Sequence, residues 1–102
     1  MATSISGFQE QCLKGCRDVF RQISVLRYGD FEKIAGKTET YFKATAEGRD
    51  HALEIYVYQD EAGYMLDGKR WTIFERPDYG SGNELLEAFL KSLREKLADI
   101  AK

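Results

Sequence analysis

HALEIYVYQDEAGYMLDGKRWTIFER, residues 51–76, decides the fold. Its first part places Leu53, Ile55 and Val57 at every second position, the period of a half-buried β-strand. DEAG and DG interrupt the run, and the Asp67-Gly68 pair is a strong hairpin signal because both central residues of a type I′ turn need positive φ. Separators this short make neighbouring strands antiparallel, so HALEIYVYQ, GYML and KRWTIFER form a meander. Upstream, ETYFKATAE ends at EGRD and adds another strand. Pro77 stops the last one by removing a ladder donor.

Outside the meander the period changes to that of a helix. Phe8, Cys12, Cys16, Val19 and Ile23 recur at steps of three and four from Ser6 to about Ser24, and Leu13 and Phe20 widen the stripe. Ser4 or Ser6 suits the N-cap. Gly15 sits inside this helix at a cost of about 1 kcal/mol relative to Ala, either as a point of close approach or as an imperfection. In YGSGNELLEAFLKSLREKLADIAK, Ser81 and Glu84 have capping-box spacing, and a stripe follows at Leu86, Leu90, Leu93, Leu97 and Ile100. Residues 25–37 have two glycines and little period; Phe31 and Ile34 are expected to anchor a short helical turn capped by Asp30.

Two amphipathic helices around a short antiparallel sheet pack most economically on one sheet face. The expected fold is therefore α+β and two-layered, an antiparallel meander of three to four strands with N- and C-terminal helices on one face (α-β-β-β(-β)-α). A chain of 102 residues with 43% apolar and 31% charged residues fits one globular domain over its whole length, 1–102, large enough for a core without disulfides or metal. Its net charge of −2 argues against a broadly cationic nucleic-acid or membrane-surface binder. No apolar run is long enough for a membrane span, and MATSISGFQEQ lacks the pattern of a signal peptide, so a cytoplasmic location is the expectation.

Parity assigns the sheet faces. With Leu53, Ile55 and Val57 toward the helices, Glu54, Tyr56 and Tyr58 point away. Phe42, Ala44 and Ala46 suit the helix side of the preceding strand, which sends Tyr41, Lys43 and Thr45 outward. The last strand reads in either phase; we take Trp71 and Ile73 as inward, leaving Arg70, Thr72, Phe74 and Arg76 outward. The candidate interaction face is thus Tyr41, Lys43, Tyr56, Tyr58, Arg70, Phe74 and Arg76, with Tyr64 near it.

A contiguous exposed aromatic patch marks an interaction site. A homodimer or another protein is the leading cover, because tyrosine brings large area with little rotamer entropy and a polar hydroxyl. A small molecule is the main alternative, bound on that face or between helix and sheet around Trp71, Phe31 and Tyr64. An inhibitor resembling an immunity protein, aimed at a basic partner, is a third reading, since acidic groups speed encounter with a basic surface. Nucleic acid ranks last because the chain is acidic and carries no aromatic-glycine RNA-binding motif. The bland alternative is cross-strand pairing of tyrosines on a half-wet face.

Catalytic and metal signatures are weak. Cys12 and Cys16 lie on the apolar stripe and read as core, and with one histidine in the chain they lack two further zinc ligands. His51 follows Asp50 with no nucleophile in view. The turn acids Asp60, Glu61, Glu75 and Asp78 read as solvated loops. Tyr79–Asn83 lacks the phosphate-loop lysine and reads as a cap. No enzyme activity, cofactor or metal is expected. The layout of a helix, an acidic-turned meander over Leu53 to Arg76 and a Glu84-Leu85-Leu86 helix resembles small orphan α+β proteins such as those of integron gene cassettes and some toxin-immunity proteins. That resemblance implies a layout and assigns no residue a role.

Overall fold

In a computed structural model, which describes residues 7–102, one helix, an antiparallel sheet and a second helix follow one another along the chain. Helix α1 spans Gly7–Gln22, and the strands are β1 (Arg27–Tyr28), β2 (Glu32–Ala35), β3 (Thr40–Glu47), β4 (Ala52–Val57), β5 (Ala62–Leu66) and β6 (Arg70–Phe74). A 3₁₀ turn at Arg76–Asp78 leads into α2 (Gly82–Ile100). The expected cap at Ser4 or Ser6 lies outside the described residues.

Strands β3 to β6 form the expected meander, each paired with the next in antiparallel register. Asp67 and Gly68 have φ of 53° and 69°, as the hairpin signal required, and the Lys69 N–H closes the turn on the Leu66 carbonyl. At the start of α2, the Ser81 hydroxyl accepts from the Glu84 N–H while the Glu84 carboxylate accepts from the Gly80 N–H. One orphan donor of the first turn is satisfied by Ser81, and the returning bond from Glu84 lands on Gly80, one residue before the N-cap that the usual reciprocal box would reach.

The sheet exceeds three to four strands because residues 25–37 hold strands and no helical turn. β1 pairs Tyr28 with Ala46, and β2 pairs Glu32 with Lys43, both on β3. Three residues, Gly29 to Phe31, therefore face two, Ala44 and Thr45. That is a β-bulge in one interrupted edge strand. The extra residue shifts the parity, so Tyr28 and Phe31 both reach α1, where Phe20 stacks on them at 4.2 and 6.0 Å between ring centroids.

Both helices cover one sheet face. The shared core joins Cys12, Cys16 and Val19 of α1 to Leu85, Phe89, Leu93 and Leu97 of α2 over Leu53, Ile55 and Val57. The stripe of α2 begins at Leu85 and Phe89, one residue before the expected Leu86 and Leu90, which are only partly buried. Leu90 turns to α1 instead: a Cβ on Gly15 would lie 2.5 Å from its Cδ1. Gly15 is thus a point of helix–helix approach. Gln9, a buried polar residue on the same side of α1, donates to the Thr40 carbonyl, meeting the demand of a buried amide.

One strand is phased opposite to expectation. In the β5–β6 register Ala62, Tyr64 and Leu66 face Phe74, Thr72 and Arg70. Phe74 packs edge-on against Phe89 of α2 at 5.7 Å, so Phe74 and Thr72 point to the helices and Trp71 and Ile73 point away. Phe74 and Arg70 therefore leave the candidate outer face, and Trp71 joins it. Tyr64 is also inward, buried with its hydroxyl against that of Ser92.

Candidate interaction face

On the side away from the helices, β3 and β4 place Tyr41, Lys43, Glu54 and Tyr56 outward, with Tyr58 just past the end of β4 continuing the row. Lys43 lies directly opposite Tyr56 in the ladder. The β5 position opposite Tyr56 is Gly63, which has no side chain to fill the face. Trp71 of β6 reaches across β5 there, to 4.9 Å from the Tyr56 ring. Tyr41 closes on Tyr58 at 4.9 Å and on Tyr56 at 6.1 Å. Four rings thus run from β3 to the edge strand at separations where offset aromatic pairs attract.

The rings answer why a tyrosine can face away from the core. Tyr56 is only 9% exposed although no helix covers it, because its neighbours on the sheet do. Its hydroxyl donates to Glu54 at 2.6 Å, and Lys43 lies 3.8 Å from the same carboxylate and 5.5 Å from the ring centroid. Burial, and then donation to Glu54, push the Tyr56 phenol well above its ordinary range. Lys43, Glu54 and Tyr56 therefore form a closed unit of cation, carboxylate and ring. The outer edge is different: Trp71 is 49% and Ile73 53% exposed.

A groove of about 230 Å³ lies at that edge, between Tyr58, Trp71 and Ile73 with Gly63 beneath and Glu61 and Glu75 at one end. Burial, followed by the neighbouring charges of Asp60, Glu75 and Glu39, raises the Glu61 carboxyl above its usual range. Among the described residues no lysine or arginine lines this groove. Burial also raises Tyr58, with Tyr41 and the acids Glu61 and Glu39 adding to it. A larger depression of about 630 Å³ at the far end of the molecule, between Leu26, Arg49 and Ala101, has no serine, cysteine or histidine among the described residues of its lining.

The remaining residues singled out from the sequence separate. Phe31 stacks on α1, Trp71 lies on the opposite sheet face and Tyr64 is in the core, so these three do not make one pocket. Arg76 donates to the Tyr79 carbonyl in the 3₁₀ turn. His51 pairs with Asp67 at 2.7 Å, and not with Asp50 beside it in sequence. The second Asp67 oxygen accepts the Ala52 N–H. That bond first, and then His51, hold the Asp67 carboxyl below its usual range, so the pair ties the β5–β6 turn to the start of β4. Cys12 and Cys16 are fully buried in the core, and a hydrogen bond between them together with burial raises the Cys16 thiol well above its usual range. Such a thiol is a poor nucleophile.

Among the described residues no three His, Cys, Asp or Glu side chains gather as a metal site. No helix there is long and apolar enough to cross a membrane. Sequence reasoning missed Ile73 and the role of Gly63 in this face; a glycine in a strand beside aromatic residues was the available signal. Compared with known proteins, the chain matches no family model, and no curated protein and no solved structure is similar enough to count as a relative. The face is therefore read from its own geometry.

Proposed function

We propose that this chain is a non-enzymatic interaction module that binds a polypeptide through the outer face of its sheet. The observation that carries the reading is the exposed pair Trp71 and Ile73 at the end of a continuous ring ladder. Large apolar side chains clustered on a sheet face favour being covered, and Tyr and Trp are the residues most enriched in such covers. The cover is a second copy of the chain, the commonest arrangement among soluble oligomers, or another protein. A small-molecule site is the weaker reading, because the groove at this face falls below the roughly 300–1,000 Å³ of ordinary ligand pockets.

Sedimentation of the native chain and of a Trp71→Ser, Ile73→Ser double variant over a concentration series tests the reading. A mass rising toward two chains for the native protein alone supports self-contact through this face. A native chain that stays monomeric moves the cover to another protein. If the double variant instead loses several kcal/mol of stability, on the scale of a core truncation, the two residues belong to the fold and the reading fails.

A further inference from the structure

We infer that the groove between Tyr58, Trp71 and Ile73 receives a lysine or arginine side chain of another protein, its stem against the rings and its charge at Glu61 and Glu75. The inference rests on the reading of the outer face as a contact surface, and it names what the partner must bring.

The chain already displays the same chemistry one column away. Lys43 lies over the Tyr56 ring with its ammonium near the Glu54 carboxylate. A cation is attracted by the negative face of an aromatic ring, and more strongly as water is excluded. A carboxylate behind the ring adds a hydrogen-bonding partner. The groove repeats this pairing of ring and carboxylate with Trp71 and Tyr58 as rings and Glu61 and Glu75 as acids, but the described residues of its lining include no cation.

Electrostatics supports a cationic occupant independently of shape. Glu61 is surrounded by Asp60, Glu75 and Glu39, and none of these four acids has an ion-pair partner among the described residues. Crowding like charges disfavours their ionised forms, and an arriving ammonium or guanidinium relieves the crowding. A long basic side chain is also amphipathic, with an apolar stem that suits Ile73 and the ring edges.

A second copy of the chain is the less complementary occupant. On the central strands of its outer face the cation is Lys43, and Lys43 is already held by Glu54. A lone small cation would fill the groove and leave the rest of the ring ladder open, whereas a polypeptide covers both.

Trp71 is the chain's only tryptophan, so its indole N–H resonance reports on the groove directly. The probes are the blocked tripeptide Leu-Lys-Leu and its counterpart with norleucine in the lysine position. The lysine peptide at millimolar concentration is expected to shift the Trp71 resonance saturably and to bind at least about fivefold more tightly than the norleucine peptide. Binding should fall at least about fivefold in a Glu61→Gln, Glu75→Gln variant. Both substitutions keep shape and relieve like-charge crowding, so the melting temperature of this variant should not fall. No saturable shift, equal binding of both peptides, or undiminished binding to the double Gln variant overturns the inference. Denaturant unfolding of the Trp71→Ser, Ile73→Ser protein reports separately on the contact face, because a loss of several kcal/mol there sinks the face whatever the peptides do, so failure of the cation site and failure of the face are distinguishable.

Discussion

On the helix side, Leu53, Ile55 and Val57 lose all contact with solvent beneath α1 and α2, whereas on the other side of the same sheet Tyr56 is covered only by its sheet neighbours and Trp71 stays 49% exposed. Both faces are rich in large apolar groups. The difference lies in what covers them. On the inner face a second layer removes water from whole side chains; on the outer face rings shield one another sideways and leave their far edges wet. Burial of the first kind stabilises the fold by about 25 cal/mol for each Å² removed from water. Lateral ring contacts add only about 0.5–1.5 kcal/mol a pair, so the outer face contributes less to folding and keeps apolar area for another use.

Substitutions on the two faces should separate accordingly. The largest effect is expected from Leu93→Ala, which truncates a fully buried contact of α2 and should cost about 2–5 kcal/mol in denaturant unfolding; a cost below 1 kcal/mol would mean the helix layer is loosely packed. Gly63→Ala comes next. Its Cβ would stand 2.6 Å from the Thr72 carbonyl oxygen, a backbone atom that cannot turn aside, and overpacking of this kind costs about 1–3 kcal/mol. An unchanged melting curve would show that β5 and β6 can separate slightly at this point.

Tyr56→Phe is expected to remove about 1 kcal/mol by deleting the hydrogen bond from its hydroxyl to Glu54, which keeps Lys43 as a partner. It should also change the alkaline limb. Because the folded phenol is held neutral, the unfolded chain ionises first, so this stabilisation is full below about pH 10 and declines as pH rises beyond it. The Phe variant should decline less steeply, while Tyr28 and Tyr58, also raised by burial, retain part of the slope. Parallel slopes in the two proteins would contradict the assignment. The smallest stability effect belongs to the Trp71→Ser, Ile73→Ser protein, within about 1 kcal/mol of the native chain as for exposed sites generally; a larger loss would erase the contrast between the faces.

Much of this architecture was legible in the residues. Alternation at Leu53, Ile55 and Val57, the Asp67-Gly68 turn, the Ser81/Glu84 cap and the stripe of α1 each agree with the structure because each is a local rule with a local cause. The sequence misled where the local rule carried no contrast. In β6 both sets, Trp71 and Ile73 or Thr72 and Phe74, contain large apolar groups, so alternation could not tell the helix side from the solvent side. The register with buried Ala62 and Tyr64 of β5, and the edge-on contact of Phe74 with Phe89, separate them. Residues 25–37 were opaque for a different reason: one extra residue at Gly29–Phe31 resets the period halfway along an edge strand, and neither two-residue nor helical spacing survives it. The outer face was found through Tyr41, Tyr56 and Tyr58, while its exposed end was assigned to the core.

That interrupted edge strand also bears on how copies of this chain could assemble. Growth of a fibril by strand addition needs two receptive borders, one to offer and one to accept. β6 offers a continuous border, but the opposite one is broken by the bulge between β1 and β2 and twisted away from a straight template. Border-to-border joining can therefore end in a closed pair, and it lacks the second straight border on which an open-ended polymer would depend.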